Sequence, residues 1–145
     1  MGYDLAYFTP KKGHLGAWGF AYADTKSFET VVGPAYTSKT FYAGIGGGYE
    51  FISKSPVIAI FANTFNETDE VYGYLEKGKT WYWYQTYYEH TFKNNVLLGC
   101  YSQTGIGTGI RSGYKYNNLS VYGGVGYLKK EFIPIIGLSY AFEKE

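Results

Sequence analysis

Residue types able to do acid–base or nucleophilic work are scarce in this chain. There are two histidines, His14 and His90, 76 positions apart, and a single cysteine, Cys100. A lone thiol and two distant imidazoles make no metal-binding pattern, so neither a metal nor a cofactor is expected. Cys100, within Leu97-Leu98-Gly99-Cys100-Tyr101, reads as a small apolar wall residue. His14 opens a strand after a turn and His90 lies late in the most aromatic segment, positions suited to interfacial or hydrogen-bonded imidazoles. Glu67, Asp69 and Glu70 share one polar loop that could meet a cation, a solvated loop being the simpler reading. Gly44-Ile45-Gly46-Gly47-Gly48 has the composition of a phosphate-binding loop, but no helix signal follows to supply the N-terminal amides. Small strand residues facing a tight lumen or a bend fit it better. Asn66-Glu67-Thr68 and Asn118-Leu119-Ser120 match glycosylation sequons, a pattern short enough to arise by chance.

The elements that must position these residues are strands. Of 145 residues, 20 are Gly, and 18 Tyr, 10 Phe and 3 Trp bring the aromatics to 21%. Such a chain is too aromatic for disorder, its glycine has no collagen period, and one cysteine excludes a disulfide framework. Thirteen basic against twelve acidic residues leave a net charge of +1, without the basic footprint of a nucleic-acid binder. Hydrophobic period is two nearly throughout. The alternation predicts strands near 14–24, 39–51, 56–66, 70–76, 80–92, 95–111, 114–128 (with a break at Asn117-Asn118) and 132–142, after an extended piece at 3–9. Turn clusters separate them at Pro10-Lys11-Lys12-Gly13, Ser53-Lys54-Ser55-Pro56, Glu76-Lys77-Gly78-Lys79, Lys93-Asn94-Asn95, Asn117-Asn118 and Lys129-Lys130-Glu131. A long connection is expected over 25–38. The whole predicts one domain over 1–145, an all-β antiparallel up-and-down β-barrel of about eight strands, since closure removes exposed edges.

Two environments suit such a barrel, and the distribution of bulk points to the outer membrane. Several strands set a large apolar row against a Gly/Ala/Ser row. In 14–24 Trp18, Phe20 and Tyr22 oppose Leu15, Ala17, Gly19, Ala21 and Ala23, and in 39–51 Phe41, Ala43, Ile45, Gly47, Tyr49 and Phe51 oppose Thr40, Tyr42, Gly44, Gly46, Gly48 and Glu50. A narrow lumen takes small residues, so the bulky rows are expected to face lipid. Charges concentrate in turns, and most segments reach the length of a tilted membrane strand. The start, Met1-Gly2-Tyr3-Asp4-Leu5, has no secretory leader pattern. The alternatives are a non-enzymatic surface or adhesion barrel with partner-facing loops, and a soluble barrel holding a hydrophobic ligand or serving as an assembly subunit.

Two stretches carry resemblances. Gly137-Leu138-Ser139-Tyr140-Ala141-Phe142 resembles the terminal strand signal of outer-membrane barrels, except that Glu143-Lys144-Glu145 follow. The block Gly46-Gly47-Gly48-Tyr49-Glu50-Phe51, then Ile60-Phe61-Ala62-Asn63-Thr64-Phe65-Asn66, then Val71-Tyr72-Gly73-Tyr74 resembles the central third of the lipid A palmitoyltransferase family. Those are eight-stranded outer-membrane barrels that move a palmitoyl chain from a phospholipid to lipid A. The resemblance implies outer-membrane localisation, with phospholipid and lipid A as partners. It also implies a catalytic set of His14 as general base, Thr64 as the activated hydroxyl and Asn63 as the orienting partner. Asn and Thr stand where that family has an Asp-Ser pair; Asn can hydrogen-bond an imidazole but cannot stabilise imidazolium by charge.

Overall fold

The computed structural model describes residues 3–8, 14–23, 27–117 and 119–140, the first and last stretches in part by backbone alone. They form eleven strands: β1 Tyr3–Phe8, β2 His14–Ala23, β3 Phe28–Thr37, β4 Phe41–Glu50, β5 Ser55–Phe65, β6 Asp69–Lys77, β7 Tyr82–Thr91, β8 Val96–Gln103, β9 Gly107–Tyr116, β10 Leu119–Leu128 and β11 Glu131–Tyr140. The strand order in the sheet is the chain order, β1 to β11, and the chain is all-β and up-and-down as the alternation requires. The contacts divide it into two compact units, Met1–Thr64 with Gly73–Tyr84, and Phe65–Tyr72 with Gln85–Glu145. Two expectations change. The strands number eleven rather than about eight, and among the described residues the sheet is not closed by pairing of β1 with β11.

The three additional strands have local causes. The 3–9 piece pairs with β2, Tyr3↔Ala23 through Phe8↔Trp18. The expected connection over 25–38 is mostly β3. Its Gly33-Pro34 has the look of a breaker, yet both lie within the strand; the β3–β4 ladder runs to Val32↔Gly47 and resumes at Ala35↔Gly44, with Gly33-Pro34 in the gap. A proline has no N–H to offer a ladder, and a local gap accommodates it. The predicted 95–111 strand is broken by a turn at 104–106, where Gly105 and Gly107 adopt φ of +84° and +81°. The strand expected over 114–128 divides at Asn117 (φ +51°), the amide side chain tolerating the left-handed region. The turn expected at 10–13 and the end of the 137–142 motif lie outside the described residues.

Register sorts each strand into a covered and an open face. In β5, Ser55, Val57, Ala59, Phe61 and Asn63 are buried while Pro56, Ile58, Ile60, Ala62 and Thr64 are exposed. Cross-strand pairs share a face. The covered rows of the first unit therefore read Trp18–Gly33 and Gly46–Ala59 on either side of the ladder gap, then Phe20–Val31–Gly48–Val57 and Tyr22–Glu29–Glu50–Ser55. The bulky row of β2 thus lies on the covered face, contrary to the expectation that bulk faces outward. The glycines opposite explain it. A Cβ on Gly44 would stand 2.6 Å from Trp18 Nε1, so the indole occupies volume that only glycine leaves open. Trp18 Nε1 donates to the Ile45 carbonyl (3.2 Å), and Phe61 meets the indole edge-on with centroids 4.7 Å apart. In β4 Phe41, Ile45 and Tyr49 are on the open face, as expected.

Candidate functional site

The three residues of the expected catalytic set are all ordered, and they do not converge. His14 pairs with Thr37, Thr37 with Tyr42, and Tyr42 with Asn63, so His14 and Asn63 share one row and one face. Three strand spacings separate them, about 14 Å. Asn63 is 2% exposed and its amide donates to the Tyr42 hydroxyl. Thr64, the next residue, points to the opposite face, where its hydroxyl donates to the Thr40 carbonyl (3.2 Å). The period of two forbids consecutive residues from sharing a face, so Thr64 cannot serve the His14 row. The hydroxyl beside His14 belongs to Thr37, and its Oγ1 is buried without a hydrogen-bond partner among the described residues.

A different histidine carries a built network. His90 Nδ1 lies 2.9 Å from Asp69 Oδ1, which also accepts from the Tyr88 hydroxyl at 2.7 Å. Asp69 Oδ2 accepts from Thr68 Oγ1 at 2.7 Å. Hydrogen bonding from His90, then from Tyr88 and Thr68, holds the Asp69 carboxyl well below the usual carboxylate range. An ionised carboxylate only accepts, so His90 carries a proton on Nδ1, and in the neutral imidazole the lone pair is on Nε2. The loop is pinned in turn: Asn66 Oδ1 accepts from Thr68 N and Asp69 N, both at 2.8 Å, and Thr91 N donates to the Thr68 carbonyl. Asp69, Tyr88 and His90 all lie on the open face, and each of the two ion-paired side chains is about one-third exposed. His90 is met edge-on by Phe92, with centroids 4.6 Å apart.

This pairing was legible in principle. The β6–β7 turn is closed by Gly78 N to the Trp81 carbonyl, and Thr68 bonds Thr91. Both pairs are symmetric about the same point, as are Asp69 and His90. Folding the sequence about that turn brings the loop acid to the late histidine.

On the covered face of the second unit, Arg111 Nη2 meets Glu89 Oε2 at 2.8 Å, with both side chains nearly buried. The guanidinium lies 4.1 Å from the Tyr87 ring centroid and 5.0 Å from that of Tyr122. Its row reads Glu89–Gly99–Arg111–Gly124, and a Cβ on Gly124 would come within 3.0 Å of the Arg111 Cα and Cβ. Gly99 and Gly124 flank Arg111 in that row. In the first unit, Glu29, Glu50 and Glu76 are buried on the covered face, and Glu76 accepts from the Tyr74 hydroxyl at 2.9 Å. Glu50 ties down the following turn, accepting from the amides of Ile52 (2.9 Å) and Ser53. No group of three or more acidic, histidine or cysteine side chains is arranged to hold a metal among the described residues, the 67–70 loop included.

Comparison with family models, curated proteins and solved structures found no match to this chain.

Proposed function

We propose that the chain is a membrane-embedded β-protein of the outer-membrane type, its open face against acyl chains. The observation that carries this reading is the inverted placement of charge. Over β2 to β5 the open face consists of Leu, Ala, Gly, Phe, Val, Pro, Tyr, Ile and Thr, with no charged side chain. Val32 and Ile58 are 66% and 61% exposed there, while Glu29 and Glu50 are buried behind them. Over β8 to β11 the open face is again uncharged, with Ile110 62% exposed and Arg111 next to it on the covered side. In water this arrangement exposes apolar surface far beyond the few hundred Å² of an ordinary monomer and buries ions without benefit. In lipid the apolar face becomes favourable, and the charges lie on the side away from the acyl chains. A ten-residue strand rises about 33 Å, and at the ~40° tilt of membrane strands it covers about 25 Å, the height of an outer-membrane apolar band. The lipid-contacting portion of β6 then runs over Val71 to Leu75, leaving Asp69 at the rim.

The reading requires that the outer edges of β1 and β11 be hydrogen-bonded in the bilayer, where no water satisfies them. Flotation with lipid vesicles and a mobility difference between heated and unheated samples on a denaturing gel test it together. Monodisperse behaviour in detergent-free buffer with no mobility difference would sink it.

A second reading, transfer of an acyl chain from phospholipid to lipid A, is favoured by the pairing of His14 with Thr37, whose buried hydroxyl has no hydrogen-bond partner among the described residues. Its hydroxyl would be Thr37, since Thr64 faces the other way. Labelled phospholipid and lipid A supply the assay: His14→Ala and Thr37→Val should abolish transfer and Thr64→Val should spare it, whereas equal turnover by His14→Ala removes the assignment.

A further inference from the structure

We propose that Asp69 and His90 form a general-base site at the rim of the open face that cleaves the acyl esters of glycerophospholipids. The proposal rests on the membrane-embedded reading and is independent of the His14 row. Three features carry it. The Asp69 carboxylate is saturated by Tyr88, Thr68 and His90, so it fixes the imidazole and its Nδ1–H tautomer. With Nδ1 held by Asp69, Nε2 is the nitrogen that bears the lone pair in the neutral imidazole, on a side chain one-third exposed. The site also lies where a strand leaves its loop, on the face that carries Leu98, 49% exposed and paired with His90, and Ile110, which is in the Tyr88–Cys100 row. Ester carbonyls of a bilayer lie at that depth, between headgroup and chains. The titratable groups facing His90 are Asp69, Tyr88 and, on β8, Cys100, which pairs with Tyr88.

The Thr68 hydroxyl is committed to Asn66 and Asp69, so water is the nucleophile. Nε2 takes a proton from a water oxygen as that oxygen bonds to the ester carbonyl carbon. The bond from that carbon to the glycerol oxygen then breaks, and the imidazolium returns the proton to the departing oxygen. Ester and water become fatty acid and lysophospholipid, with no further reactant.

The full chain in vesicles of phosphatidylethanolamine and phosphatidylglycerol with labelled acyl chains supplies the test, read as free fatty acid and lysolipid. Wild type should release both. His90→Asn, floating and heat-modifiable like wild type, should lose about 100-fold or more in rate. Asp69 acts through the imidazole, so Asp69→Asn should displace the acid limb of the pH–rate profile as well as lower kcat. Should His90→Asn fail to insert, carbethoxylation of the inserted wild type should stop release in step with modification of His90, followed by mass spectrometry of its peptides. Release that survives either treatment overturns the proposal. Wild type that floats yet releases nothing overturns it too, with the membrane reading intact. Wild type that does not float brings down both.

Discussion

At the scale of single residues, polar side chains are committed to one another rather than to solvent. Asp69 satisfies three donors at once, and the sign of its pH effect follows from that. Its carboxyl is lowered from 3.8 by hydrogen bonds from His90, Tyr88 and Thr68. The stabilisation is therefore fully present above that unfolded value and is lost as pH falls through the lower folded one. Asp69→Asn should lower the thermal midpoint at neutral pH, and the gap to wild type should close progressively in acid below the unfolded value. A gap independent of pH across that range would contradict the assignment. Arg111 and Glu89 test the same principle in a drier setting. Removing Glu89 alone leaves a nearly buried cation between two tyrosine rings, a loss of about 3 kcal/mol. Glu89→Leu with Arg111→Met should recover most of it, because a well-packed apolar pair replaces an ion pair at little cost. Chemical unfolding of the two single variants and the double one measures the coupling.

At the scale of elements, turns and glycines decide the sheet more than strand propensity does. The β10–β11 hairpin turns on Lys129 and Lys130, both at positive φ (+51° and +72°), between the pair Leu128↔Glu131. That is the geometry of a type I′ turn, which favours Asn-Gly, and an L side chain held there costs about 1–2 kcal/mol per residue. Lys129→Asn with Lys130→Gly should stabilise the protein by about 1 kcal/mol, seen as a higher denaturant midpoint at unchanged m-value. A lowered midpoint would mean that the lysines make contacts the turn needs. Glycine's other role here is to be absent. Gly44 and Gly46 leave the space into which Trp18 fits, and a Gly44→Val side chain would have to displace the indole. The expected cost is about 1–3 kcal/mol by overpacking, read by thermal unfolding, with loss of the Trp18 fluorescence environment as its signature.

At the scale of the whole molecule, the prediction concerns what surrounds it. Ile58 and Ile60 lie midway along β5 on the open face. If that face meets lipid, Ile58→Arg should cost about 2–4 kcal/mol in a bilayer, while an arginine at Tyr36, nearer the strand end, should cost about 0–1. Folding titrations into vesicles measure the difference. Equal and negligible costs at both positions would indicate water on that face.

Much of this architecture follows from alternation alone. Period-two patterning needs no tertiary information, because successive side chains on any strand point to opposite sides, and so the all-β up-and-down chain and most turns could be read directly. The extra strands could not be read in the same way. Gly33-Pro34 looks like punctuation, and only the gap left in the β3–β4 ladder shows how a strand passes through it. The break at 104–106 was available in Gly105 and Gly107, but a single glycine does not state its φ. Which face is covered was decided by packing. Both rows of β2 are apolar, and their assignment depends on the glycines of β4, two strands away in the sheet. The same holds for chemistry. Sequence proximity joined Asn63 to Thr64, and the pleat sends them to opposite faces. Asp69 and His90 are 21 positions apart, and the β6–β7 turn sets them against each other. Composition and period determine what each strand can bury; register, which exists only between strands, decides which side chains meet.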